Sequence, residues 1–128
     1  MASLTFSLPG HPANDNVRRR WHWSKRNEED DLWKEDARRV CIDAINRQRL
    51  VVPWPRVHVT YQFVKPTKQR MDTDNAGGAT KPILDGIVMA GLIPDDSGEY
   101  VSAVTTLAPL YIKGVREVRV RVDEDVVE

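Results

Sequence analysis

At 128 residues, with 41% hydrophobic and 30% charged side chains, the chain has the composition of an ordinary globular protein and the length of a single domain, residues 1–128. It contains no apolar run near the roughly 18–20 residues that span a bilayer, and no signal peptide is visible, so a cytoplasmic protein with no membrane partner is expected. Its zero net charge conceals a split, since residues 1–70 hold 14 Lys/Arg against 8 Asp/Glu and residues 71–128 hold 5 against 11. Such a split suits cations that track phosphates and carboxylates that hold metal, but unevenly spread surface charge produces it too.

In chain order, Leu4, Phe6 and Leu8 alternate with Thr5 and Ser7, which predicts a short half-buried strand stopped by Pro9-Gly10. From His11 to Arg26 no period is visible, and a long loop is expected. It carries a basic and aromatic cluster of Arg18, Arg19, Arg20, Trp21, His22, Trp23, Lys25 and Arg26. Asn27, followed by Glu28, Glu29, Asp30 and Asp31, reads as the N-cap of a helix that runs to about Arg47. Trp33, Ala37, Val40, Cys41, Ala44 and Ile45 give that helix its apolar face. The single Cys41 sits among apolar neighbours and reads as a core residue rather than a nucleophile.

After Pro53-Trp54-Pro55, the alternation of Val57, Val59, Tyr61 and Phe63 predicts a strand, followed by a basic connection containing Lys65, Lys68 and Arg70. A second helix is expected over Lys81 to Ala90, with Pro82 in its first turn, Ile83, Leu84, Ile87 and Val88 on one face, and Gly91 ending it. Strands are predicted over Tyr100 to Leu107 and Val115 to Val122, with an acidic tail from Asp123. The order β-α-β-α-β-β predicts an α/β (α+β) fold, a single mixed four-stranded sheet with two main helices.

Chemistry concentrates in Arg70-Met71-Asp72-Thr73-Asp74-Asn75 and, after the second helix, Asp95-Asp96. Aspartates two apart on an extended backbone share a face, so Asp72 and Asp74 can converge on one hard cation while a third carboxylate arrives from the next connection. Asp-x-Asp and Pro-Asp-Asp-Ser-Gly are also common turns, and only one of Asp95 and Asp96 need face a metal. A high-affinity EF-hand is not expected, because its fifth and twelfth positions would be Ala76 and Ile83. A nucleotide-sugar transferase would need a second domain. Lys81 and Asp85, four apart on the helix, are either a surface ion pair or a phosphate-directed ammonium with its orienting carboxylate. Arg18, Arg19, Arg20, Lys25, Arg26, Lys65, Lys68 and Arg70 are candidates for phosphate contacts, whereas Trp21 and Trp23 either stack on bases or pack. His11, His22 and His58 lack zinc spacing.

Taken together, Leu8-Pro9-Gly10-His11-Pro12-Ala13-Asn14, Arg70 to Asn75, Lys81-Pro82-Ile83-Leu84-Asp85-Gly86 and Gly91-Leu92-Ile93-Pro94-Asp95-Asp96 resemble the RusA-type Holliday junction resolvases over nearly the whole chain. The resemblance implies that Asp72, Asp74 and Asp96 are metal-binding carboxylates and Lys81 a catalytic lysine, with Asp85, Asp95 and Asn75 in support. It further implies a Mg²⁺-dependent endonuclease, with Mn²⁺ as a substitute, that acts as a homodimer on four-way DNA junctions in recombination or repair, as phage and prophage relatives do. The chain departs from the family pattern at Ala76-Gly77-Gly78-Ala79-Thr80, an apparent insertion before Lys81. The rival expectations are a non-cleaving branched-DNA-binding module of the same fold and a Mg²⁺-dependent flap or nucleotide phosphodiesterase.

Overall fold

A computed structural model describes residues 2–10, 20–66 and 80–125. Its elements, in order, are β1 (Ser3–Pro9), α1 (Trp23–Gln48), β2 (Val57–Lys65), α2 (Lys81–Met89), β3 (Val101–Thr106), β4 (Leu110–Tyr111) and β5 (Glu117–Glu124). The α+β class and mixed sheet agree with the sequence reading, but the sheet has five strands rather than four. The extra one, β4, is a two-residue strand that pairs with Val64 and Lys65 of β2. A pair of residues beside Pro109 is too short to show an alternation, so periodicity does not reveal it.

The sheet runs β1-β5-β2-β3, with β4 on the same edge of β2 as β3. β5 is antiparallel to both β1 and β2, whereas β3 and β4 are parallel to β2. β2, α2 and β3 thus form a crossover unit, the connection that parallel neighbours require. Alternation sorts the two faces. Leu4, Phe6 and Leu8 of β1, Val57, Val59, Tyr61 and Phe63 of β2, and Val118, Val120 and Val122 of β5 are buried in one core with the helices. Thr5, Ser7, Thr60, Gln62, Arg119 and Arg121 turn to the opposite face and line a shallow depression of about 480 Å³ there.

Helix α1 contributes Ala37, Cys41, Ala44 and Ile45 to the core, and α2 contributes Pro82, Ile83, Leu84 and Ile87. The two helices meet at Gly86, where a β-carbon would collide with the Lys34 carbonyl and lie 2.7 Å from Ala37 Cβ and 2.9 Å from Arg38 N. Glycine is required there by close approach. At Gly91, which follows the α2 cap, it is required by a φ of +88°. Trp54, buried between Pro53 and Pro55, donates its backbone N–H to the Leu92 carbonyl at 2.7 Å and ties the α1–β2 connection to the end of α2.

Several boundaries differ from the sequence reading, two of them in ways that change a residue's role. Helix α1 begins at Trp23, not Asn27, because His22 caps it: its Nδ1 accepts from the Ser24 backbone N–H at 3.3 Å. Glu28 to Asp31 therefore lie beyond the first turn, and the acids chosen as dipole partners are one turn too far along. Strand β5 extends to Glu124, so Asp123 and Glu124 are paired strand residues opposite His58 and Val57 rather than tail. No helix among the described residues is long and apolar enough to cross a membrane.

Candidate active site

Pro82 in the first turn of α2 pre-sets helical φ where a missing N–H costs nothing, and Thr80 precedes the helix as its cap residue. The Tyr61 hydroxyl donates to the Thr80 carbonyl at 3.4 Å, which fixes the start of α2 over β2. One helical turn then brings Asp85 back alongside Lys81, and Lys81 Nζ donates to Asp85 Oδ1 at 3.1 Å. Beyond the Gly91 turn the chain returns Asp96, whose Oδ2 also accepts from Lys81 Nζ. Two carboxylates from different segments thus converge on one ammonium.

The electrostatics follow from that geometry. Lys81 is held above its ordinary pKa, chiefly by its hydrogen bond to Asp96, against an opposing pull from burial and with further support from Asp85. Asp96 is held below the usual carboxylate range by the same bond. The pair is thus charged throughout the neutral range. Beneath it, burial raises the Tyr61 hydroxyl, and the Asp85 carboxylate adds to the effect. Asp95 is exposed, so of the acidic pair it is Asp96 that reaches Lys81.

The other expected residues divide into two groups. Asp72, Asp74, Asn75, Lys68, Arg70, Arg18 and Arg19 lie outside the described residues. Arg20, Lys25 and Arg26 are exposed at the start of α1, where Lys25 Nζ stands 4.4 Å from the Trp21 ring centroid. Trp23 is 62% exposed beside the His22 ring. His58 has a structural role, its Nε2 within 2.8 Å of Thr105 Oγ1 across the β2–β3 pair. Cys41 is buried, as expected.

Topology relates the two undescribed connections. Pro9, Glu117 and Val64 lie in one row of the sheet, so β1 and β2 end level with each other on either side of β5. Segments 11–19 and 67–79 therefore join the sheet at ends about 10 Å apart, two interstrand spacings. That end is the carboxyl end of the parallel strands, where open α/β sheets bind ligands. It also holds a cation that the sequence reading missed, Arg116, beside the Lys65 that it named. Lys65 at the end of β2 is held below its ordinary pKa, first by burial and then by the charge of Arg116. Only strand register reveals that neighbour.

Hard oxygen donors suit a divalent cation, and the Lys81 ammonium already occupies the position of a cation between Asp85 and Asp96. Among the described residues no three His, Cys, Asp or Glu side chains group together to hold a metal. Set against known proteins, the chain matches no family model and no curated protein.

Proposed function

We propose that the chain is a Mg²⁺-dependent, RusA-type endonuclease that resolves four-way DNA junctions by paired symmetric nicks. The observation that carries the reading is the convergence of Asp85 and Asp96 on Lys81 at the start of α2, which follows the Asp72-Thr73-Asp74-Asn75 segment in sequence after the five residues Ala76 to Thr80. Asp72, Asp74 and Asp96 would hold the metal, with Mn²⁺ as a substitute; when bound, it supplies a water of lowered pKa and neutralises charge on the phosphate.

The chain's own residues supply the rest. Hydrolysis of a phosphodiester joins a water oxygen to phosphorus and breaks one P–O ester bond, so negative charge grows on the leaving and non-bridging oxygens. Lys81 keeps its proton at neutral pH and therefore serves as a charged N–H donor to those oxygens rather than as a base. Asp85, one turn along, orients the ammonium. The exposed cations Arg20, Lys25 and Arg26 suit the duplex arms of a junction. Two symmetric nicks need two such sites, and a twofold homodimer provides them.

Nicking of a synthetic junction by Lys81→Met and Asp96→Asn tests the assignment. Lys81→Met should slow nicking by about 10²–10³-fold, the usual loss for one transition-state donor. Asp96→Asn should abolish the response to Mg²⁺. Wild-type rates in both variants would refute the site.

A further inference from the structure

The antiparallel register of β2 and β5 runs as far as Val64 opposite Glu117, so the next residues to face each other are Lys65 and Arg116. Directly opposed residues have Cα atoms about 5 Å apart, and like charges in such positions are destabilising. Both strand ends are pinned. The Ile112 N–H donates to the Lys65 carbonyl and the Gly10 N–H to the Arg116 carbonyl, each at 2.9 Å, so the backbones do not part to relieve the repulsion.

Among the described residues neither Lys65 nor Arg116 has a carboxylate partner. The arginines within β5 do: Arg119 Nε lies 3.6 Å from Glu117, and Arg121 Nε donates to both oxygens of Asp123 at 2.9 and 3.1 Å. Lys65 is partly buried, and its depressed pKa records both that burial and the unrelieved charge of Arg116. Strand alternation, continued from Phe63 and Val118, directs both side chains to the helix-bearing face that also carries Lys81.

We propose that Lys65 and Arg116 form a two-cation cradle for a backbone phosphate of DNA. A phosphate between them turns a repulsion into two attractions, with the arginine fork giving paired N–H bonds and the lysine a point charge. The inference rests on the nuclease reading and deepens it. The cradle lies where β2 leads into the segment carrying Asp72 and Asp74, and there it holds a phosphate that fixes the register of the strand at the scissile bond.

The test is fluorescence anisotropy of a labelled four-way junction with Arg116→Gln and Lys65→Gln, in Ca²⁺ to prevent cleavage, over a salt series. Each variant should bind about tenfold more weakly, with the slope of log K against log salt reduced by about 1. Each should also melt no lower than wild type, because it loses a repulsion. Arg121→Gln, whose guanidinium Asp123 already serves, should keep the wild-type affinity and slope. Unchanged affinity and slope in Arg116→Gln would overturn the cradle, as would a lowered melting temperature with unchanged affinity, the mark of an internal partner. Nicking in Mg²⁺, scored separately, tells the two readings apart. A wild type that nicks while Arg116→Gln binds normally refutes the cradle alone. One that binds through Arg116 without nicking refutes the nuclease and keeps the cradle. No DNA binding by the wild type refutes both.

Discussion

Cys41 and Lys81 show how surroundings decide what a reactive group does. Burial pushes the Cys41 thiol up to about 12, so it stays protonated and serves as a small apolar core residue. Ellman's reagent at about pH 8 should leave it unlabelled in the native protein and label it on unfolding in urea; equal rates in both states would contradict the buried placement. Lys81 is more than half exposed, yet two carboxylates raise its pKa above the ordinary 10.5. Because its folded value is the higher one, the ion pair is intact below 10.5 and lost as pH rises through that folded value. For Asp96 the folded value is the lower one, so the pair is intact above 3.8 and lost as pH falls through the folded value. Neither group titrates near neutrality, so a pH–rate profile of nicking should show no limb from Lys81 or Asp96 there; a loss of activity between about pH 6 and 8 that Lys81→Arg abolished would contradict this. The Lys81–Asp85 contact was legible from an i, i+4 spacing, and the return of Asp96 from the helix-and-turn pattern before it. Arg116 was not legible, because its relation to Lys65 is set by a strand pairing 51 positions away, and local sequence carries no register.

Among the elements, α2 is the one on which the site depends, and its position is set by how closely it approaches α1. Gly86→Ala should cost about 2–4 kcal/mol, because the new methyl group meets the α1 backbone at Lys34 and Arg38, which cannot give way as a side-chain tip would. Gly91→Ala should cost about 1–2 kcal/mol, for strain at positive φ alone, since nothing lies within 4 Å of the added carbon. Urea denaturation orders the two, and an equal or reversed order would show that α1 and α2 are not in contact at Gly86. The apolar faces of both helices were legible from their 3.6-residue spacing, and Ala37, Cys41, Ala44 and Ile45 are buried. The start of α1 was not, because Asn27 followed by acids imitates a cap more strongly than His22 does. Histidine is an unusual cap, and its Nδ1 bond to the Ser24 N–H is visible only in three dimensions. For β1, β2 and β5 the alternation sufficed; β4 is held by two pairings to β2, a tertiary effect with no local signature.

At the scale of the whole molecule, the sheet order brings the ends of β1 and β2 level on either side of β5. β1 and β2 flank β5, so the connections holding the arginine cluster and the aspartate pair start from neighbouring ends of the sheet, with Lys65 and Arg116 beside them. Composition gave no hint of this order, since strand adjacency depends on which apolar faces pack and not on chain sequence. The opposite face keeps its charges in local pairs, Arg119 with Glu117 and Arg121 with Asp123, and stands apart from the site. The central claim is metal-dependent cutting of a branched duplex by this end of the molecule. Its most direct test maps the nicks on an end-labelled four-way junction and on its linear duplex arms, with Mg²⁺ and with EDTA. The account predicts paired nicks at symmetry-related positions on two opposing strands of the junction, in Mg²⁺ only. An intact junction in Mg²⁺, or equal cutting of the linear arms, would contradict it.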